Sequence, residues 1–223
     1  YQTDGIFQNM DEVNAYTATA SSSTGADSTW LIQPLAQPGD FKFRDLNGDG
    51  EITADDRTMI GNPTPDWTAG ITIDVRYKNW DLNIFGQGVF GNDIYNASRR
   101  YDLPTANMPA TAIDRWTGEG TSNTHPRLTF NDANRNFARS SDFYVEDGSF
   151  FRVKSLQLGY NISGGFADKI GVGKMRIYYA GTNLLTFTSY SGFDPEIGAG
   201  MGLDKGIYPQ ARVNTIGLNI TFK

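Results

Sequence analysis

Residues 45–56 read Asp-Leu-Asn-Gly-Asp-Gly-Glu-Ile-Thr-Ala-Asp-Asp. Oxygen-bearing side chains fall at the first, third and fifth positions (Asp45, Asn47, Asp49), glycine at the sixth (Gly50) and a carboxylate at the twelfth (Asp56), the spacing of an EF-hand calcium loop. In that reading Asp45, Asn47 and Asp49 offer side-chain oxygens, Glu51 a backbone carbonyl, and Thr53 a direct or water-mediated contact. Asp56 closes the site, Gly50 permits the sharp turn, and Ile52 is the apolar anchor. The expected ion is structural Ca²⁺ pinning a long loop, since no helix precedes the loop to be swung by binding. The metal-free alternative is an Asx-rich turn built from the same residues. Two acid pairs, Asp142 with Glu146 and Asp194 with Glu196, have the residue types of a glycoside-hydrolysing pair. Such spacings are common on any acidic surface, and Asp194-Pro195-Glu196 reads better as a loop brace. Trp30, Tyr101 and Trp116 offer ring faces for sugar stacking, and His125, beside Pro126, reads as a loop residue.

Composition narrows the classes. The chain has 223 residues, 39% hydrophobic and 13% aromatic, with 25 glycines, no cysteine and one histidine. Absence of cysteine removes disulfides, thiolate metal sites and cysteine nucleophiles, and one histidine leaves little for imidazole catalysis or zinc. Acids outnumber bases 25 to 19 for a net charge of −6. That argues against nucleic acid as a partner, because phosphate binding needs clustered Lys and Arg. No run approaches the ~20 apolar residues of a membrane helix, and mean hydropathy is −0.44. The chain opens on Tyr1-Gln2, without Met or a signal peptide, which suggests a processed product or a fragment.

The elements that must carry these groups are strands. Ile71, Ile73, Val75 and Tyr77 are apolar while Thr72, Asp74 and Arg76 are polar, and after Lys78-Asn79 the alternation resumes with Trp80, Leu82 and Ile84 against Asp81 and Asn83. Period-two alternation marks a strand with one apolar and one wet face. A two-residue turn sets Tyr77 opposite Trp80, Val75 opposite Leu82 and Ile73 opposite Ile84. On the polar side it sets Arg76 opposite Asp81 and Asp74 opposite Asn83. Further strands are expected at 150–162, 174–187 and 211–223. The first changes phase near Ser155, where a bulge is expected. Tyr1 to Gln37 and Gly91 to Asp142 carry no strand signal. Short helices are expected over Asp11–Thr19 and Pro109–Trp116, the latter with Ile113 and Trp116 on one face, and a polar loop over Ser21–Thr29.

Five strands of about 11 to 16 residues are long for a soluble sheet, where strands average about 5 to 6, and they match the ~9–11 tilted residues that cross a bilayer. Connections alternate between long loops and short turns, as in an outer-membrane barrel. The sequence therefore reads as all-β: about five antiparallel strands of a transmembrane barrel, with long loops on one side and short turns on the other. Residues 1–66 form a loop region holding the calcium loop, and 67–223 the carboxy-terminal strands (67–78, 80–90, 150–162, 174–187, 211–223) with loops 91–149 and 188–210. Aromatics at strand ends (Trp67, Tyr77, Trp80, Tyr160, Phe222) fit interfacial girdles, with outer-membrane lipid against the apolar face.

Longer stretches carry a resemblance. PGDFKFRDLNGDGEITADDRTMIGNPTPDWTAGI, GQGVFGNDIYN, YVEDGSFFRVKSLQLGYNI, RIYYAGTNLLTFTSYSGFDPEIG and YPQARVNTIGLNITFK occur in this order. Together they resemble the carboxy-terminal part of SusC/RagA-type TonB-linked outer-membrane proteins of Bacteroidetes. Asp56 at the closing position of the acidic loop further resembles dockerin loops. The family resemblance implies a barrel of about 22 strands around a plug, of which this chain supplies the last five. It implies import of glycans or oligopeptides with a SusD-like surface lipoprotein, energised by TonB through a plug absent from this chain. It implies no enzymatic role, and a carboxy terminus on the periplasmic side. The short turns at Lys78-Asn79 and Ser163–Gly173 are then periplasmic, the long loops extracellular, and Asp74, Arg76, Asp81 and Asn83 face the lumen, Arg76 paired with Asp81. The ending Asn219 to Lys223 resembles a barrel-assembly signal, with lysine after the near-terminal Phe222 as a departure. The alternative is a soluble surface β-domain that binds glycan and holds a structural Ca²⁺.

Overall fold

A computed structural model describes residues 1–21, 27–100, 107–162, 165, 172–198 and 202–222. Tyr101, Lys223, the Ser163-Gly164 turn with residues 166–171, and residues 22–26 of the polar loop lie outside the described residues.

In chain order the strands begin with β1 (Thr3–Ile6), β2 (Thr17–Ala20), β3 (Ser28–Leu31) and β4 (Phe41–Phe43), with helix α1 (Met10–Ala15) after β1. Then come β5 (Trp67–Tyr77), β6 (Trp80–Phe90), β7 (Asp93–Asn96) and β8 (Val145–Asp147). The chain finishes with β9 (Phe150–Ile162), β10 (Val172–Thr188), helix α2 (Pro195–Gly198), β11 (Leu203–Asp204) and β12 (Val213–Phe222). It divides into two compact units, Tyr1–Gly61 with Tyr95–Glu146, and Asn62–Ile94 with Asp147–Lys223.

The second unit is built on one antiparallel sheet of strand order β12-β10-β9-β6-β5. Tyr77 pairs with Trp80, Val75 with Leu82 and Ile73 with Ile84, in a register that continues unbroken to Trp67 opposite Phe90. Lys78 takes the left-handed backbone (φ 53°) that a two-residue hairpin turn needs at its first corner. The phase change in β9 is a bulge at Lys154, since Phe85 faces Ser155 while Gly86 faces Val153. The partner β10 absorbs the same irregularity at Asn183 and Leu184, with Asn183 at φ 52°. Both strands slip together, so residues on either side of the bulge keep their faces.

One face of this sheet is apolar across all five strands. Register sets Tyr77, Trp80, Tyr160, Ile177 and Leu218 in one row, and Val75, Leu82, Leu158, Tyr179 and Ile216 in the next. Among the described residues nothing covers this face. Ile71, Ile73, Val75, Leu158, Ile177, Ile216 and Leu218 are each between 38% and 82% exposed. Aromatic pairs bracket it, with Trp67 stacked on Phe90 (4.3 Å between ring centres) at one end and Trp80 beside Tyr160 (4.7 Å) at the other. Between Trp67 and Tyr77 the strand rises roughly 33 Å at ~3.3 Å per residue. Tilted by about 40°, that projects to roughly 25 Å, the height of the apolar band of an outer-membrane barrel.

The first unit has a core of its own. Ile6, Phe41, Phe43, Phe137, Phe143 and Tyr144 are buried together, with Ile52, Tyr95, Trp116 and Leu128 packed against them. Strands appear here where the sequence has no periodicity, because side chains complete their pairing. β4 bonds to β1 along one edge. Along the other, the Gln33 amide donates to the Phe41 carbonyl (3.0 Å) and accepts from the Phe43 N–H (2.8 Å). Asn134 donates to the same Phe41 carbonyl, and Asn136 accepts the Phe41 N–H. Fully buried Asp40 accepts from Arg127 (2.7 Å) and Asn136 (2.9 Å), so the charge in this core is paired and hydrogen-bonded. The expected helix over Asp11–Thr19 forms at Met10–Ala15 instead and gives way to β2. Asn9 caps its N-terminus by accepting the Glu12 N–H. The helix expected over Pro109–Trp116 is a 3₁₀ turn at Ala110–Asp114, with Trp116 in the core and Ile113 exposed.

Candidate functional site

Three arrangements concentrate functional side chains. The first is the polar face of the large sheet near the Lys78-Asn79 turn. Asp74, Arg76, Asp81 and Asn83 all line one recess there, joined by Lys78, Gln157, Asn161 and Arg176. Asn83 donates to Asp74 across the hairpin (2.6 Å). The expected Arg76–Asp81 ion pair does not form, although the two residues are directly opposite. Asp81 pairs with Arg176 instead, accepting from its Nε at 3.1 Å and from a terminal nitrogen, and also from Asn161 (2.9 Å). Arg176 stands on β10, two strands from β6, and crosses β9 at Gly159. A Cβ there would lie 2.6 Å from both Arg176 Nε and Asp81 Oδ2. Missing this glycine's side chain, the polar face lets a longer-range partner outcompete the nearer arginine. Both side chains are about a quarter exposed, so the pair contributes at most about 1 kcal/mol. Alternation already puts Arg176 on the polar face; what it lacks is any sign of the crossing.

The second arrangement lies at the bulge. Arg152, its side chain 4% exposed, donates to Asp194 (2.5 Å), Glu196 (2.7 Å) and Thr186 (2.9 Å). Lys154 adds contacts of 2.5 and 2.8 Å to Glu196. Asp194 also accepts the backbone N–H groups of Glu196 (3.0 Å) and Gln210 (3.1 Å). Burial pushes the Asp194 carboxyl up, but the Arg152 guanidinium and those two N–H donors outweigh it, leaving it below the usual carboxylate range. Asp194 and Glu196 therefore hold a loop to the sheet, and a free acid pair is absent. Asp142 is likewise occupied, accepting from the Thr3 N–H and hydroxyl, and Glu146 accepts from Asn96 and Arg99.

The third is the acidic loop. Asp45 accepts the N–H groups of Gly48 (2.7 Å) and Gly50 (2.8 Å), and Asp49 that of Glu51 (2.9 Å). Asn47 accepts from the Asp49 N–H and donates to its carboxylate. Fully buried Asp56 accepts the N–H groups of Leu46 (2.8 Å) and Thr53 (2.7 Å), completing a capping box with Thr53 around a 3₁₀ turn. Ile52 packs on the core and Trp30 donates to the Gly50 carbonyl (3.0 Å). Among the described residues no three His, Cys, Asp or Glu side chains stand where one cation would be shared. The carboxylates of Asp45, Asp49 and Asp56 accept the loop's own N–H groups, bonds that shape an Asx-rich brace and an EF-hand-type loop alike and leave further carboxylate lone pairs open.

Of the stacking candidates, Trp30 is tied to Gly50, and Trp116 is packed in the core with its indole N–H on Gln8 (3.2 Å). His125 lies edge-on to Phe143 (5.7 Å) and 3.2 Å from Arg99. Burial first, and the Arg99 charge second, hold its pKa below the ordinary imidazole value.

Comparison with known proteins adds context. No family model matches the chain. TonB-dependent receptor P3 of Formosa agariphila is 39% identical over 207 residues, spanning 88% of this chain. TonB-dependent receptor SusC of Bacteroides thetaiotaomicron is 27% identical over 203 residues, also 88% of this chain. The chain spans about one fifth of the length of these relatives (20% and 19%). Among solved structures, the RagAB peptide importer in its open-open state matches at a TM-score of 0.63 with 22% identity, over 93% of this chain and 22% of that one. The RagAB peptide transporter matches at 0.62 with 25% identity, over 92% and 22%. Long antiparallel strands with an uncovered apolar face, receptor relatives along nearly the whole chain and the RagAB barrel fold lead to one assignment: this chain belongs with the SusC/RagA-like TonB-dependent receptors, as a carboxy-terminal segment of the barrel.

Proposed function

We propose that the chain is the carboxy-terminal portion of an outer-membrane importer of glycans or oligopeptides, working with a SusD-like surface lipoprotein. The uncovered apolar face of the five-stranded sheet carries this reading. A soluble domain would have to bury those rows, whereas lipid covers them without a partner. The two sheet edges, β5 and β12, are untenable alone in hydrocarbon, so the remaining strands of a barrel of about 22, closed around its plug, pair with them. In this arrangement the carboxy terminus and the Lys78-Asn79 turn face the periplasm, and segments 1–66, 91–149 and 188–210 face outward. Asp74, Arg76, Asp81 and Asn83 then line the lumen, and TonB acts through the plug. The test is affinity purification of the full-length receptor from carbonate-washed outer membranes. A surface lipoprotein recovered in stoichiometric amount is expected. Recovery of the receptor in the soluble fraction, or from membrane without any lipoprotein, would overturn the reading.

Ca²⁺ at Asp45, Asn47, Asp49, Glu51, Thr53 and Asp56 is proposed on the spacing of these oxygen-bearing residues around Gly50. The expected sign of binding is that EDTA, or Asp45→Ala with Asp49→Ala, speeds proteolysis within 39–66 of the full receptor and leaves the strands intact. Identical cleavage with and without chelator would remove calcium and leave the brace.

A further inference from the structure

Outside the three arrangements above, the first unit carries a recess of about 440 Å³ lined by Arg57, Arg135 and Arg139 together with Thr58, Ser140 and Tyr1. Every polar side chain in that lining can donate a hydrogen bond, and none is a carboxylate. This is conspicuous in a chain of net charge −6. Among the described residues the ion pairs of this unit involve Arg44, Arg99 and Arg127, and none involves the three guanidiniums of the recess. Arg139 donates to the carbonyls of Asn134 (3.0 Å) and Ile52 (3.3 Å) and lies over the rings of Phe43 (4.8 Å) and Tyr1 (5.6 Å). Arg57 lies over the same Tyr1 ring (5.7 Å) and reaches its hydroxyl through Nε (3.4 Å), leaving both terminal nitrogens available. Two guanidiniums thus share one ring without an anion between them.

Arg135 completes the recess. It sits at φ 61°, a left-handed conformation that arginine seldom adopts. Asp132 holds it there by accepting the N–H groups of Asn136 (2.8 Å) and Phe137 (2.9 Å), while its carbonyl takes that of Arg135 (3.0 Å). The effect is to present the Arg135 side chain at the corner of a tight turn, where it lines the recess with Arg57 and Arg139. Burial first, with the Arg135 charge contributing, holds the Arg139 pKa below its ordinary value, against the opposing pull of Tyr1, Asp132 and Asp56. Guanidinium forks match carboxylate and sulfate oxygens in bidentate geometry.

We propose that this recess binds an oxyanion, a carboxylate or a sulfate, between Arg57, Arg135 and Arg139. The proposal stands apart from the import reading because its readout is binding. The experiment is calorimetric titration of the detergent-purified full receptor with sodium sulfate and with sodium glucuronate. Sodium chloride of equal ionic strength and glucose serve as controls. Saturable binding of sulfate marks a site for free inorganic anions. Glucuronate binding without glucose binding marks one for the acid group of a larger ligand. Either supports the proposal if Arg135→Gln weakens it at least tenfold. Arg57→Gln is the second variant, and Arg139 is left intact because it packs on the core ring of Phe43. No saturable signal beyond the chloride and glucose controls, or unchanged affinity in both variants, would overturn it.

Discussion

Replacing Arg152 with methionine would remove the charge that holds Asp194 against the sheet while keeping the bulk of the side chain. Arg152 and Asp194 are 4% and 3% exposed, and Glu196 is 21% exposed. Breaking a buried ion pair from one side costs about 3–5 kcal/mol, because the remaining charge stays buried and uncompensated. Here the lower end applies. Asp194 keeps two backbone N–H donors, and Glu196 keeps Lys154. A local loss of about 3 kcal/mol raises the population of the detached segment by roughly two orders of magnitude. Hydrogen exchange on the full receptor reads this directly. The amides of Glu196 and Gln210 both donate to Asp194 and are the reporters. Arg152→Lys is expected to recover only part of the protection, since one ammonium does not span both carboxylates as a guanidinium does. Acidity should act on the same latch. Asp194 titrates below its unfolded value, so its contribution is complete above about pH 3.9 and is lost as pH falls through the lower folded value. Without Arg152, burial acts with less opposition and opening begins at a higher pH. Exchange of the two reporter amides in Arg152→Met within threefold of the parent would refute this account.

Other perturbations separate the remaining parts. Ile73→Arg puts a charge midway along the exposed apolar face; at the bilayer midplane that costs about 2–4 kcal/mol, so heat-modifiable folded receptor in the outer membrane should fall, and Thr72→Arg on the opposite face should be tolerated. Gly50→Ala demands φ 85° of a residue with a side chain and sets its Cβ 2.6 Å from Ala18 and 2.8 Å from Trp30; a loss of about 1–3 kcal/mol in the acidic loop is expected, read by Trp30 fluorescence and by faster cleavage within 39–66. His125 is held neutral by burial and by Arg99. Its depressed pKa gives stability that is full above about pH 6.5 and is lost as pH falls through the lower folded value, so exchange around Phe143 should rise on acidification, and His125→Gln should flatten that dependence.

Local pattern accounts for much of the large sheet. Alternation in Ile71–Tyr77 and Trp80–Ile84 sets the faces, and the short Lys78-Asn79 turn leaves one register that satisfies both. The phase change in β9 announces the bulge to within a residue, at Lys154 where Ser155 marks the expectation. The first unit is different. Its strands are three or four residues long, too short for alternation to register. β4 exists because Gln33, Asn134 and Asn136 supply hydrogen bonds that a neighbouring strand would otherwise provide. Amide side chains scattered through a polar sequence give no sign of which backbone groups they meet.

By itself, then, the sequence determined which residues alternate, where the hairpin turns, and which face of each strand is apolar, because a strand's side chains are assigned by parity and parity is local. Only the tertiary structure decided the partners. Asp81 passes over the arginine opposite it and pairs with Arg176 across Gly159. Arg152 gathers Asp194 and Glu196 from some forty residues away. In both cases the choice depends on which strands and loops come to lie side by side, and for Asp81 also on where a missing side chain opens a path, and neither is encoded in the spacing of the residues that respond to it.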